Sequence, residues 1–377
     1  MRVNARERLR EARRVVVKVG TSTLTHDTGK LDLRRIDHLV RELSDLRNQG
    51  KEMVLVSSGA IAAGLGRLGL DKKPQSIPKK QAIAAIGQGV LMHIYEKFFA
   101  EYGQIMGQVL LTKENSVRHN QYIHSRNSLL AQLSMGAIPV INENDAVSVD
   151  EIKIGDNDNL SAMVATLVDA DALIILSDIE GMYTANPAQH PEAKLIPEIH
   201  EITPDIQNLA GGAGSALGTG GMMTKIQAAQ VAMSAGVTMV IASGGREGVI
   251  RSVLAGEAVG TVFPARESHL KVRKSWLAFG KRLAGEIIVD DGCAAAMRSN
   301  GSSLLAAGVV DCDGAFHRGN TVRVLTEGQQ EIARGIVNYD AETLHKLLGH
   351  KSGEFSHLVS GEVPEEVIHR DNMVLMV

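Results

Sequence analysis

The chain has 377 residues, 44% hydrophobic and 22% charged, which is enough for two or three domains with real cores and too apolar for a disordered protein. A formal net charge of −3 argues against general affinity for nucleic acid or an anionic membrane, and no uncharged apolar run is long enough to cross a bilayer. Two cysteines, Cys293 and Cys312, are too few for a disulfide framework or a metal-ligand set, and reduced thiols in a cytoplasmic protein are expected.

Residues 1–14 are rich in Arg and Glu and lack the apolar segment of a secretory signal. Positions 15–19 read as a buried strand interrupted by Lys18. A lysine there is costly unless its ammonium meets water or an anion. Either the strand lies at a sheet edge with Lys18 in solvent, or Lys18 is aimed into a site at the strand's C-terminal end, where open α/β sheets bind ligands. Positions 33–48 have helical spacing (Ile36, Leu39, Val40, Leu43, Leu46), and Gly50 is placed to end the helix.

The next strand, 53–56, runs into Ser57-Ser58-Gly59-Ala60-Ile61-Ala62-Ala63-Gly64. These hydroxyls either offer donors to an anion or cap a helix. Gly64-Leu65-Gly66-Arg67-Leu68-Gly69 matches the dinucleotide pattern but does not directly follow its strand, which argues against a Rossmann site. A helix over 80–102, a strand over 105–111, a helix over 117–135 and a strand over 137–141 continue an alternation that predicts a parallel sheet covered by helices.

Polar chemistry then concentrates. Asn142-Glu143-Asn144-Asp145 ends one strand, and Gly155-Asp156-Asn157-Asp158-Asn159 precedes a helix over 160–168. Turn chemistry alone could explain either cluster. Together they suit a zwitterion, with carboxylates for an ammonium and amides for a carboxylate, whereas the calcium-loop spacing is absent. A strand over 172–176 ends in Ser177-Asp178, where Asp178 either meets ribose or a metal-bound phosphate or caps a helix.

Gly218-Thr219-Gly220-Gly221-Met222-Met223-Thr224-Lys225 opens a helical pattern over 222–235. Glycines admit close backbone approach, and a helix start with a lysine suits phosphate; a plain flexible loop is the alternative, since the Walker spacing is absent. Strands over 237–242 and 260–263 flank a short helix over 249–254. Beyond the charged stretch 266–283, short runs separated by glycines suggest a small β-barrel over 284–377. That part carries 7 basic and 14 acidic residues, so its balance is −7.

In this order, Lys18-Val19-Gly20-Thr21-Ser22, Ser57 through Gly64, Ile141-Asn142-Glu143-Asn144-Asp145-Ala146-Val147, Gly155 through Ser161 and Gly218 through Lys225 resemble the motifs of the bacterial glutamate 5-kinase family. Gly301-Ser302-Ser303-Leu304-Leu305, Phe316-His317-Arg318-Gly319 and Ile332-Ala333-Arg334-Gly335 resemble its PUA domain. The resemblance implies an α/β amino acid kinase fold, a mostly parallel sheet between helices, over 1–265. A linker over 266–283 and a PUA-like barrel over 284–377 would follow. It implies transfer of the γ-phosphoryl of ATP to the side-chain carboxylate of L-glutamate, the first step toward proline, with Mg²⁺ on the ATP phosphates and no protein metal ligands.

Carried over motif by motif, Lys18 and Lys225 act on the phosphoryl and Asp158 orients them; Ser58, Asn142, Asp145, Asp156 and Asn157 hold glutamate. Lys18, Ser177, Asp178, Thr219, Gly220, Gly221, Met222, Met223, Thr224 and Lys225 hold ATP. Proline as inhibitor and a dimer or tetramer are also implied. The rivals are an amino acid kinase acting on acetylglutamate, aspartate or a nucleotide, and RNA binding by the PUA-like part, which its acidic balance disfavours.

Overall fold

The computed structural model describes residues 4–112, 119–147, 157–187, 189–211, 221–266, 283–300, 302–350, 355 and 364–375. Two compact units divide the chain, one of residues 1–118 and 124–267, the other of 119–123 and 268–377. Most of the expected linker, 267–282, lies outside the described residues.

In the first unit the strands are β1 (Arg14–Val19), β2 (Glu52–Ser57), β3 (Met106–Leu111), β4 (Ile138–Glu143), β5 (Ala172–Ser177), β6 (Thr238–Ser243) and β7 (Thr261–Phe263). Interleaved with them are the helices α1 (Ala5–Glu11), α2 (Thr21–Leu24), α3 (Leu33–Asn48), α4 (Ala60–Leu68), α5 (Ile77–Glu101) and α6 (His119–Ser134, of which 124–134 belong to this unit), then α7 (Asn157–Leu167), α8 (Pro204–Gly211), α9 (Met222–Ser234) and α10 (Val249–Leu254). The sheet order is β3-β4-β2-β1-β5-β6-β7. Every pairing is parallel except that of β7, which runs antiparallel to β6. The expected α/β sheet between helices is therefore present.

β1 is central, so the edge-strand reading of Lys18 fails. Alternation sends Val15, Val17 and Val19 into the core shared with α1, α3, α5 and α10. Each such valine contributes about 1.5–3 kcal/mol on burial. Val16 and Lys18 take the opposite face, which α7 covers while α9 packs on α7. The strand order reverses between β1 and β5, the place where open α/β sheets form a crevice at the strand ends.

Helix boundaries shift where local chemistry differs from the expectation. α5 starts three residues early because Pro78, lacking an N–H, fits a first turn. α7 starts at Asn157, three residues before the expected 160, so Asp158 lies in its first turn.

The glycines of the pattern Gly64-x-Gly66-x-x-Gly69 share no common cause. A Cβ on Gly64 would sit 2.1 Å from the Ile83 carbonyl oxygen, and one on Gly87 1.7 Å from that of Ala60, so α4 and α5 pack backbone to backbone. Gly69 ends α4 in the left-handed region, and Gly66 faces open space.

In the second unit β8 (Glu286–Val289), β10 (Val309–Asp313), β11 (Thr321–Thr326), β12 (Glu331–Ile336) and β14 (Met373–Leu375) form a sheet in the order β10-β8-β11-β12-β14, and β9 (Leu304–Leu305) pairs with β13 (Glu366–Ile368). Two helices that the sequence reading did not expect, α11 (Asp291–Asn300) and α12 (Ala341–Leu347), supply Met297, Leu344 and Leu347 to its core. Cys293 and Cys312 are free thiols, each pushed up to about 11 chiefly by burial.

Candidate active site

Three charges meet on the α7 face of the sheet. Lys18 Nζ lies 2.6 Å from Asp158 Oδ1, and Lys225 Nζ lies 3.1 Å from Asp158 Oδ2. Lys18 comes from the C-terminal end of β1, Asp158 from the first turn of α7 and Lys225 from the first turn of α9. The three are only 7%, 2% and 6% exposed. Thr224 donates its hydroxyl to Asp158 Oδ2 at 2.8 Å. Burial alone would raise the Asp158 carboxyl; the Lys18 and Lys225 ammoniums, with hydrogen bonds from Lys18 and Thr224, outweigh it and hold the group below its ordinary value. One carboxylate thus fixes two ammoniums that would otherwise repel.

One residue along α7, Asn157 faces a cleft of about 330 Å³ beyond the ends of β2 and β4. Ser58, Lys73, Asn142, Glu143, Asp145 and Asn157 are among its lining residues. Asn157 Nδ2 donates to the Ser57 carbonyl at 3.0 Å, to Ser58 Oγ at 2.8 Å and to Asn142 Oδ1 at 3.1 Å. Ser58 therefore does not cap α4: Gly59 holds that position with φ 99° and makes no side-chain cap bond.

Asn142, 2% exposed, accepts at Oδ1 from Asn157 and from the Glu143 N–H, and donates from Nδ2 to Gln88 Oε1 at 2.8 Å. Its amide mainly holds Asn157 in place. Below it, Ser57 Oγ pairs with the buried Tyr95 hydroxyl at 2.8 Å, and burial pushes that phenol's pKa up.

At the end of β5, Ser177 donates to Asp178 Oδ1 at 2.9 Å. Residues 178–181 form a bend, so Asp178 caps no helix there. Gly221 precedes α9, which begins Met222-Met223-Thr224-Lys225. Asp156, Thr219 and Gly220 lie outside the described residues. The chain thus brings together Lys18, Asp158, Thr224 and Lys225 in one cluster, and Ser58, Asn142, Asp145 and Asn157 around the cleft.

Sequence reasoning missed Gln88 and Lys73. Gln88 carried a signal, because it stands on the buried stripe Ala84, Gly87, Leu91, Met92 of a helix where an amide needs a partner. Lys73, in the loop between α4 and α5, carried none.

Residues 13–243 match the amino acid kinase family and residues 285–359 the PUA domain, so the chain belongs to the amino acid kinase family and carries a PUA domain after the kinase part. A curated glutamate 5-kinase from Moorella thermoacetica is 52% identical over 98% of this chain and 97% of its own length. Those from Carboxydothermus hydrogenoformans and Deinococcus radiodurans are 50% and 47% identical, each covered over its whole length. Such identity over whole chains places this one in the glutamate 5-kinase branch of that family. Among solved structures, a UMP kinase from Bacillus anthracis aligns with 67% of this chain and 96% of its own at TM-score 0.46 and 15% identity, too distant to bear on substrate. No described helix is long and apolar enough to cross a membrane.

Proposed function

We propose that the chain transfers the γ-phosphoryl of ATP to the side-chain carboxylate of L-glutamate, giving glutamyl 5-phosphate, the first step toward proline. The observation that carries this reading is the Lys18–Asp158–Lys225 bridge beside a cleft lined with carboxylates, amides and hydroxyls. The names of the full-length relatives agree with it.

The attacking group needs no activation. A glutamate side chain with pKa of about 4.3 is already ionised at neutral pH. What remains is to align two anions and neutralise the charge that spreads over the transferring oxygens. Lys18 and Lys225 are suited to that charge, and Asp158 keeps their ammoniums at fixed positions. The first turns of α7 and α9 add partial positive charge on the same side. Glu143 and Asp145 suit the α-ammonium of the substrate; Ser58, whose hydroxyl accepts from Asn157 and keeps its own proton to donate, suits a carboxylate.

ATP would lie between the Ser177-Asp178 end of β5 and the start of α9. Both Asp158 oxygens are engaged by lysines. Mg²⁺ would be held by the ATP phosphates and would supply further charge neutralisation there.

The test is hydroxamate formation from ATP and hydroxylamine with alternative acceptors. Glutamate should give product and acetylglutamate and aspartate little; product from acetylglutamate but not glutamate would refute the assignment. Proline shares the α-ammonium and α-carboxylate of glutamate, so it should inhibit by competing near Asp145 and Asn157. Inhibition that saturating glutamate leaves untouched would place proline elsewhere.

A further inference from the structure

The cleft that would receive the acceptor has an uneven charge pattern. Among the described residues its lining offers two carboxylates, Glu143 and Asp145, and one cationic side chain, Lys73. Lys73 belongs to the loop 69–76, which joins α4 to α5 and whose base is held by the backbone packing at Gly64 and Gly87. Its ammonium is close enough to Asp145 and Lys80 to feel both charges. Partial burial and Lys80 lower its pKa, and Asp145 opposes them.

The substrate read for this cleft carries two carboxylates and one ammonium. Its acceptor carboxylate must face Lys18 and Lys225, past Asn157. Its ammonium is matched by Asp145 and Glu143. The α-carboxylate then enters a cleft whose acidic residues would repel it; the neutral Ser58 hydroxyl offers it a hydrogen bond, and among the described lining residues Lys73 alone offers it a counter-charge. Resting on the proposed function, we infer that Lys73 is a specificity-determining residue that pairs with the α-carboxylate of the acceptor. It thereby selects an α-amino acid over an amine that carries only the acceptor carboxylate. Lys73 stands at the exposed rim, so the pairing acts on binding and leaves the transfer step to Lys18 and Lys225.

Steady-state kinetics of the full chain test this. Lys73→Ala should raise the glutamate KM about three- to fivefold, with kcat and the ATP KM within about twofold, and Lys73→Arg should restore most of the loss; one such charge pair at an exposed site has about this size. The inhibition constant of 4-aminobutyrate, which keeps the ammonium and the acceptor carboxylate but lacks the α-carboxylate, should hardly move. An unchanged glutamate KM in Lys73→Ala would overturn the inference while leaving the proposed function standing, as would equal weakening of glutamate and 4-aminobutyrate. No turnover of glutamate by the unaltered chain would overturn both.

Discussion

A lysine in the central strand of a sheet is stable only if its charge is matched, and Lys18 is matched by Asp158 at 2.6 Å. Asp158 serves Lys225 in the same way, so removing its charge leaves two ammoniums buried side by side. Asp158→Asn should lower stability at neutral pH by about 3–5 kcal/mol, the usual cost of breaking a buried pair. The pH dependence has a definite sign. The Asp158 pKa is lower in the fold than in the unfolded chain, so its contribution is full above about pH 4 and is lost as pH falls through the folded value. Urea unfolding from pH 3 to 7 should show the gap between the unaltered chain and Asp158→Asn narrowing below about pH 4. A gap constant over that range would mean that Asp158 is not the charged partner of the lysines.

At the scale of elements, α4 and α5 determine where the cleft wall stands. Their contact at Gly64 and Gly87 leaves no room for a side chain. Gly87→Ala would place a Cβ 1.7 Å from the Ala60 carbonyl and push the start of α4 away from Ser58. Overpacking of this kind costs about 1–3 kcal/mol or more, and it should raise the glutamate KM as well. Gly66→Ala, two residues from Gly64 and facing open space, should instead gain about 0.5–1 kcal/mol. Thermal unfolding of both variants checks the pair; equal effects would mean that the helices do not meet at Gly87.

The glycine pattern also shows what the sequence could and could not reveal. Continuous short apolar runs made the parallel sheet legible, because β1, β2, β4 and β5 are buried on both faces. The reason for Gly64 was not legible, since it depends on a helix some twenty residues away. The same holds for Gln88 and Asn142, whose amides meet only after β4 and α5 have packed.

Over the whole molecule, chain order and spatial order differ. Residues 18, 158 and 225 belong to three separate strand–helix crossings, yet they converge because parallel strands deliver all their C-terminal ends to one side of the sheet. The order of motifs along the sequence made this convergence legible; Lys73 was not, because a loop position follows no periodicity. The central claim is that Lys225 acts on the transferring phosphoryl rather than on substrate affinity, and ADP release from ATP and L-glutamate by Lys225→Ala tests it most directly. A fall in kcat of at least about 100-fold, with the glutamate KM changed by only a few-fold, is the predicted result. A rise confined to KM, with kcat intact, would contradict the account.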